Sequence, residues 1–322
     1  MIEKFGVNKN DFDAPVIVTG AGGCIGGWVL HLLQRAGIPV IAIDLTKDQR
    51  RPKLLMTDEE LAEVQWVTGD ISEKSTILEA VKKYEASAII HLAALQVPFC
   101  KADPILGAKV NVVGTVNVFE AAREAGIKRV AFASSIAAHG VFDKETIHTL
   151  YGAYKFCNEE TAKVYMQDWD VPSTCLRPGV VYGVGRDQGM TSKTTVAILA
   201  AALGKNYTIP FTGPVSWLHA GEVASAFIKS VSKPREAAKV FDINGTSSTV
   251  ESSIQLIHSI SNSIQITSAG SPLPFPMSLS DAPIRSYLGD YGSVELSAGI
   301  EATFSSFKRL IEMNLLSESS LD

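Results

Sequence analysis

Pro15-Val-Ile-Val-Thr-Gly20-Ala-Gly-Gly23-Cys-Ile-Gly26-Gly-Trp28 is an apolar run that stops on a cluster of glycines and resumes as a helix. The run before Gly20 is short, apolar and unbroken, which is the pattern of a strand covered on both faces. From Trp28 to Arg35 the apolar residues fall at helical spacing, and Gly37 supplies a stop. Working outward, the same alternation repeats. Strands are predicted at 39–44, 64–70, 86–92, 129–134 and 173–177, with helices over 72–84, 104–125 and 151–169 between them. Near-continuous apolar strands alternating with helices predict an α/β fold: a doubly wound parallel sheet joined by right-handed crossovers. Ligands on such sheets bind beyond the carboxyl ends of the strands.

After Gly183 the rhythm breaks. Gly, Pro and Ser become frequent, as in Phe211-Thr-Gly-Pro-Val and Ser271-Pro-Leu-Pro-Phe-Pro, and short helices near 220–231, 250–261 and 303–314 alternate with loops. This predicts a smaller C-terminal lobe that closes over the site and selects the substrate. The tail Ser317-Glu-Ser-Ser-Leu-Asp322 is expected to fray.

Composition narrows the class. The chain has 322 residues and a formal net charge of -5, which argues against a nucleic-acid partner. No uninterrupted apolar run approaches the ~20 residues of a membrane span. Met1 to Ala14 is polar and charged, without a signal-type apolar stretch, so a cytoplasmic location and no membrane partner are expected. Cys24, Cys100, Cys157 and Cys175 are scattered, so neither a disulfide framework nor a metal site is expected.

The glycine turn carries the first chemical signal. Gly20 permits a tight turn, Gly23 lets backbone approach a pyrophosphate at the helix N-terminus, and Gly26 lets the helix lie close on the sheet. Asp44 ends the next strand, where a carboxylate accepts hydrogen bonds from both ribose hydroxyls of an adenosine and repels a 2′-phosphate. That favours NAD; Lys47, Arg50 and Arg51 follow closely and leave NADP open. Asp70, after the third strand, suits either an adenine contact or a helix cap.

Tyr151-Gly-Ala-Tyr-Lys155 carries the second signal. Tyr151 and Lys155 stand four apart and share a helix face. An ammonium beside a phenol favours the phenolate, and an oxidised nicotinamide would add positive charge, so the pair predicts a lowered Tyr151 pKa and a general acid–base role. Ser134-Ser135 ends the preceding strand, sixteen residues before Tyr151, and the Ser135 hydroxyl could hold a substrate oxygen against the phenol. Ser134 suits a cofactor contact or plain strand-end hydrogen bonding. Gln96 could touch a substrate hydroxyl. Arg186 could hold a carboxylate or phosphate by a fork of hydrogen bonds, or simply pair with Asp187. His91 reads as strand packing.

In this order the motifs resemble the extended short-chain dehydrogenase/reductases, the group that includes nucleotide-sugar epimerases and dehydratases. The likeness runs through Thr19–Gly26, Asp44, Gly69-Asp70, His91-Leu-Ala-Ala94, Asn111, Ser134–Gly140, Tyr151–Lys155 and Leu176-Arg-Pro-Gly-Val-Val-Tyr-Gly183. It implies a Rossmann domain over residues 1–182, a late strand near 239–244 returning to it, and a substrate-binding lobe over most of 183–322. It implies that Gly20, Gly23, Cys24 and Ile25 hold the pyrophosphate, Asp44 the ribose, and Asp70 and Ile71 the adenine. Leu92, Ala93 and Ala94 would line the cofactor cleft, and Pro178 and Val180 would lie against the nicotinamide. Ser135, Tyr151 and Lys155 match the catalytic set, and Asn111 would order a water or brace the centre. Homodimers built on two long helices are also implied.

The chain departs from the group in telling places. Ile136 and Ala137 follow the catalytic serine where dehydratases carry acids, which disfavours elimination of water. Val180 stands where sugar-nucleotide epimerases often have Asn, and Ser216–Glu222 lacks an Arg common there. Both favour a smaller, neutral or singly charged sugar-like substrate. The leading expectation is an NAD-dependent oxidoreductase acting on a secondary alcohol or ketone. An epimerase that retains its cofactor uses the same residues, and a non-catalytic NAD-binding sensor is the third alternative.

Overall fold

The structure is a computed structural model and describes residues 5–144, 146–276 and 279–321. Met1–Lys4 of the polar N-terminus and Asp322 of the tail lie outside the described residues. In chain order the strands are β1 (Val16–Thr19), β2 (Val40–Asp44), β3 (Gln65–Thr68), β4 (Ala88–His91), β5 (Val130–Ala133), β6 (Ser173–Pro178), β7 (Val180–Tyr182), β8 (Tyr207–Ile209), β9 (Pro214–His219), β10 (Ala238–Ile243), β11 (Thr246–Thr249) and β12 (Ile266–Ser268). The helices are α1 (Cys24–Arg35), α2 (Asp58–Ala62), α3 (Lys74–Tyr84), α4 (Val97–Ala102), α5 (Pro104–Ala108), α6 (Gly114–Ala125), α7 (Leu150–Trp169), α8 (Lys193–Leu203), α9 (Ala220–Ser230), α10 (Val250–Ile260), α11 (Ala282–Leu288) and α12 (Leu296–Glu312).

Seven strands form one sheet in the order β10-β6-β5-β4-β1-β2-β3. Every pairing in it is parallel; β1, for example, sets Ile17 opposite Ile41 on one side and Ile89 on the other. The strand order reverses beside β1, which creates the crevice of a doubly wound fold. Side chains alternate across the sheet. Val16, Val18, Ala42 and Ile90 face the core under α1 and α9. Ile17, Ile41, Ile43 and Ile89 face a second core made with α3, α6 and α7. Both layers are dry: Val16, Ile17 and Val18 are fully buried, each such side chain contributing roughly 1.5–3 kcal/mol.

Later segments add two small sheets, β11-β9-β7 and β12-β8. The three-residue strands β7, β8 and β12 carry too little pattern to read locally. α9 packs along α1, and α12 lies against α8. The predicted helix over 104–125 is helical throughout but carries a wide π turn at Lys109–Val113. It has the length and mean hydropathy, 1.2, of a membrane span, yet half of its apolar window is buried within the fold. The tail expected to fray instead makes a helical turn at Glu318–Leu321, where Lys205 pairs with Glu318 at 2.9 Å.

Candidate active site

The carboxyl ends of β1 to β6 open into one cleft of about 600 Å³. Every candidate site residue lines it: Gly20, Gly23, Cys24, Ile25, Asp44, Asp70, Ile71, Leu92, Ala93, Ala94, Gln96, Ser134, Ser135, Tyr151, Lys155, Pro178, Val180 and Arg186.

At one end the glycine turn is built for close approach. Gly20 has φ +68°, and a Cβ there would lie 2.6 Å from the Ala93 nitrogen; one at Gly26 would lie 2.2 Å from the Gly20 oxygen. The turn therefore hugs both the next strand end and α1, leaving the α1 N-terminus open toward an anion. Asp44 braces it, Oδ2 accepting from the Gly22 N–H at 2.9 Å and Oδ1 from the Leu45 N–H at 2.8 Å. Asp70 lines the cleft and accepts from the Ser72 N–H at 2.8 Å, a local turn ahead of α3 rather than its cap, which is Glu73. Burial pushes the Cys24 thiol up to about 11, which makes it inert lining.

Two of the three basic residues that follow Asp44 are already engaged. Arg50 forks onto Asp48, and Arg51 reaches Asp187 at 2.8 Å and the Gly22 oxygen at 3.4 Å. A 2′-phosphate would meet the Asp44 carboxylate with these two guanidiniums committed elsewhere. The cradle fits NAD: a glycine-rich turn, a helix N-terminus and a ribose acid stand in one line of strand ends.

The chemical set sits at the centre. Ser135 is extended, and its hydroxyl oxygen accepts from the Ala137 N–H at 3.2 Å, starting a short 3₁₀ turn. Thr149 caps α7, accepting from the Gly152 N–H at 2.9 Å. A Cβ at Gly152 would lie 2.3 Å from the Ala137 oxygen, so the first turn of α7 presses on the serine turn and brings Tyr151 to Ser135. Lys155 is buried one helical turn on, its Nζ donating to the Ala133 oxygen at 2.6 Å and lying 5.6 Å from the Tyr151 ring centre.

One electrostatic expectation is corrected here. Burial raises the Tyr151 pKa, opposed by a hydrogen-bonding contact with Ser135 and by the charge of Arg186. Lys155 does not offset this burial: its own ammonium is pushed down by burial to about 8, still cationic at neutral pH, and it donates to the Ala133 oxygen. The protein alone keeps the phenol protonated at neutral pH.

Around this set lies a polar frame that sequence reasoning missed. Ser134 bonds the buried Glu159, which takes a bidentate pair from Arg177 at 2.8 and 2.5 Å; Asp242 holds His139 at 2.8 Å. Glu159 follows Lys155 by one turn of α7, which was the available signal. His91 is a brace between Thr19 and Thr115 at 2.7 and 3.1 Å, with burial driving its pKa down to about 3. Asn111, in the π turn, holds the Leu95 backbone on both sides, at 2.7 and 2.9 Å. His219 caps α9 and does not line the cleft.

At the far end Gln96, Phe99, Gln188, Met190, Thr191 and Phe275 line the cleft. Phe275 comes from the proline-rich run after 271 and had no chemical signal. Asp187 turns away to Arg51, so it does not pair with Arg186.

Comparison with known proteins agrees with this geometry. Residues 16–244 match the sequence profile described as the NAD dependent epimerase/dehydratase family. A UDP-glucose 4-epimerase of Mycolicibacterium smegmatis is 28% identical over 256 residues, covering 75% of this chain and 80% of that protein. In fold, an L-threonine dehydrogenase from Clostridium difficile superposes with a TM-score of 0.80 at 20% identity, over 92% of this chain and 98% of that one. A UDP-glucose 4-epimerase from Thermotoga maritima, solved with UDP-glucose, gives 0.76 at 21% identity, over 92% and 99%. The profile match runs from the first residue of β1 to the residue after β10, and on that ground this chain belongs to the NAD-dependent epimerase/dehydratase family, an enzyme family whose cofactor is NAD.

Proposed function

We propose that the protein oxidises or reduces a secondary alcohol or ketone of a small sugar-like substrate. The observation that carries this reading is the meeting of Tyr151 with Ser135 in one cleft, with Lys155 buried behind them. NAD, when bound, supplies the hydride acceptor or donor. Ser135 holds the substrate oxygen, and Tyr151 takes its proton in oxidation or returns it in reduction. Lys155 anchors the end of β5 through Ala133 and stands ready to donate to a ribose hydroxyl. Residues 183–322, apart from the strand near 239–244, are proposed to select the substrate.

Absorbance of reduced nicotinamide, followed across alcohols, sugars, sugar acids and sugar nucleotides, tests the reading. Turnover that Tyr151→Phe abolishes supports it; turnover that survives in that variant overturns it. A second reading, epimerisation, draws on the Mycolicibacterium relative. NAD retained through purification, with product formed and no net absorbance change, would select it.

Two further readings concern setting. Phe99, Ile105, Leu106 and Val113 on the 97–113 stretch, and Leu150, Val164 and Trp169 on α7, are exposed apolar side chains. α5 and α6 pack on α7, and we infer that a second copy covers this combined face as a homodimer. Ile105→Glu should then yield a monomer in sedimentation. Four free thiols suit a reducing cytoplasm.

A further inference from the structure

The substrate end of the cleft holds a charge that the fold leaves unmatched. Among the described residues the cleft is lined by three cations, Arg51, Lys155 and Arg186. Arg51 is paired with Asp187, and Lys155 is buried on the Ala133 carbonyl. Arg186 has no carboxylate within salt-bridge distance among the described residues: its Nη2 donates to the Thr191 hydroxyl at 3.0 Å, and its Nε is buried without a partner. The acids lining the cleft, Asp44, Asp48 and Asp70, all belong to the nucleotide end.

Gln96 reaches the same place. Gly189 has φ +98°, and a Cβ there would stand 2.3 Å from Gln96 Oε1 and 3.3 Å from Arg186 Nη2. The amide and the guanidinium thus converge on the space beside Gly189, which a side chain at that position would take from them. Arg186 is also near enough to the reacting phenol for its charge to favour the Tyr151 phenolate.

We propose that Arg186 and Gln96 form a carboxylate-binding subsite, so that the substrate is a small polyhydroxy acid whose carboxylate is gripped while its secondary alcohol lies between Ser135 and Tyr151. A planar guanidinium, with donors in a fork and one of them unpartnered, matches the two oxygens of a carboxylate. One unmatched cation suits a monoanion, whereas a diphosphate would call for more. Val180, fully buried in β7, offers no polar group to a diphosphate. The inference rests on the hydride-transfer reading of the same cleft.

The test separates binding from turnover. Calorimetry on NAD-loaded Tyr151→Phe enzyme compares short aldonates with the alditols of equal length, with inorganic phosphate and UDP as further probes. An aldonate is expected to bind on the order of a hundredfold more tightly than its alditol; Arg186→Gln, placed in the same background, removes that preference, and Arg186→Lys restores part of it. NAD affinity should be the same in all three, which excludes a folding defect. The subsite is overturned if the alditol binds as well, if no aldonate binds, if Arg186→Gln leaves aldonate affinity unchanged, or if phosphate or UDP takes the Arg186-dependent binding instead. Wild-type turnover is read separately: an aldonate that binds through Arg186 yet never reduces NAD would leave the subsite standing and sink the hydride-transfer reading.

Discussion

The two ends of the cleft are made by different means. The nucleotide end is a row of consecutive strand termini: Gly20 after β1, Asp44 at β2, Asp70 after β3, Leu92 after β4, Ser134 after β5 and Pro178 at β6. One hydrogen-bonded sheet sets all six positions. The substrate end gathers Gln96, Arg186, Met190, Thr191 and Phe275 from three separated loops. What the difference teaches is where specificity resides. A sheet of this topology makes a nucleotide cradle almost regardless of its loops, while the loops decide what else may react there.

The comparison can be broken or sharpened by four measurements. The largest effect is expected where the ends meet: Tyr151→Phe should cut turnover about a thousandfold while leaving NAD affinity unchanged. Next, Gly20→Ala should cost about 2–3 kcal/mol of stability and abolish NAD binding, because the added Cβ meets Ala93 at 2.6 Å in a left-handed backbone. A denaturant titration with parallel NAD titration checks this; retained NAD binding would show that the cradle is not set by that turn.

The third concerns acid. His31 and His219, each at about 4, and His91, at about 3, are buried and held neutral. Their folded values lie below the unfolded one, so the unfolded chain protonates first and stability falls as pH drops from about 6.5 toward 4. Glu222 opposes them: burial raises its carboxyl to about 7, so the native state takes that proton first and gains stability over the descent from about 7 to 4.5. Three groups against one leave a net loss of about 2 kcal/mol near pH ~5.5, readable as a lower Tm. None of these histidines lines the substrate end. The smallest effect belongs to that end: Phe275→Ala should raise the substrate KM about tenfold, with NAD binding untouched.

These regions were unequally legible in the sequence. Strands β1, β2, β3 and β5 of the nucleotide half are short runs closed by Gly, Asp or Ser, and each announces its own end. Ser135, Tyr151 and Lys155 were readable because a helix and a strand end place them locally. What could not be read was fixed by distance along the chain. Asp187 abandons its neighbour for Arg51, a partner 136 positions away, and Gln96 reaches Gly189 from a different loop far back in the chain. Phe275 had no motif at all. The direction of the Tyr151 shift is set by burial, which four-residue spacing cannot reveal. The π turn at Lys109–Val113 interrupts a periodicity that reads as one plain helix.

The mooring of the 184–187 loop has a consequence of its own. Trp28 Nε1 donates to the Val184 oxygen at 2.9 Å, and Arg51, bonded to the glycine turn, holds Asp187. The segment that presents Arg186 is thereby tied to α1 and the glycine turn, the elements proposed to receive the pyrophosphate. Ligands at the two ends are therefore expected to be energetically coupled, and such coupling is reciprocal: whatever factor NAD adds to the affinity for substrate, substrate must add to the affinity for NAD.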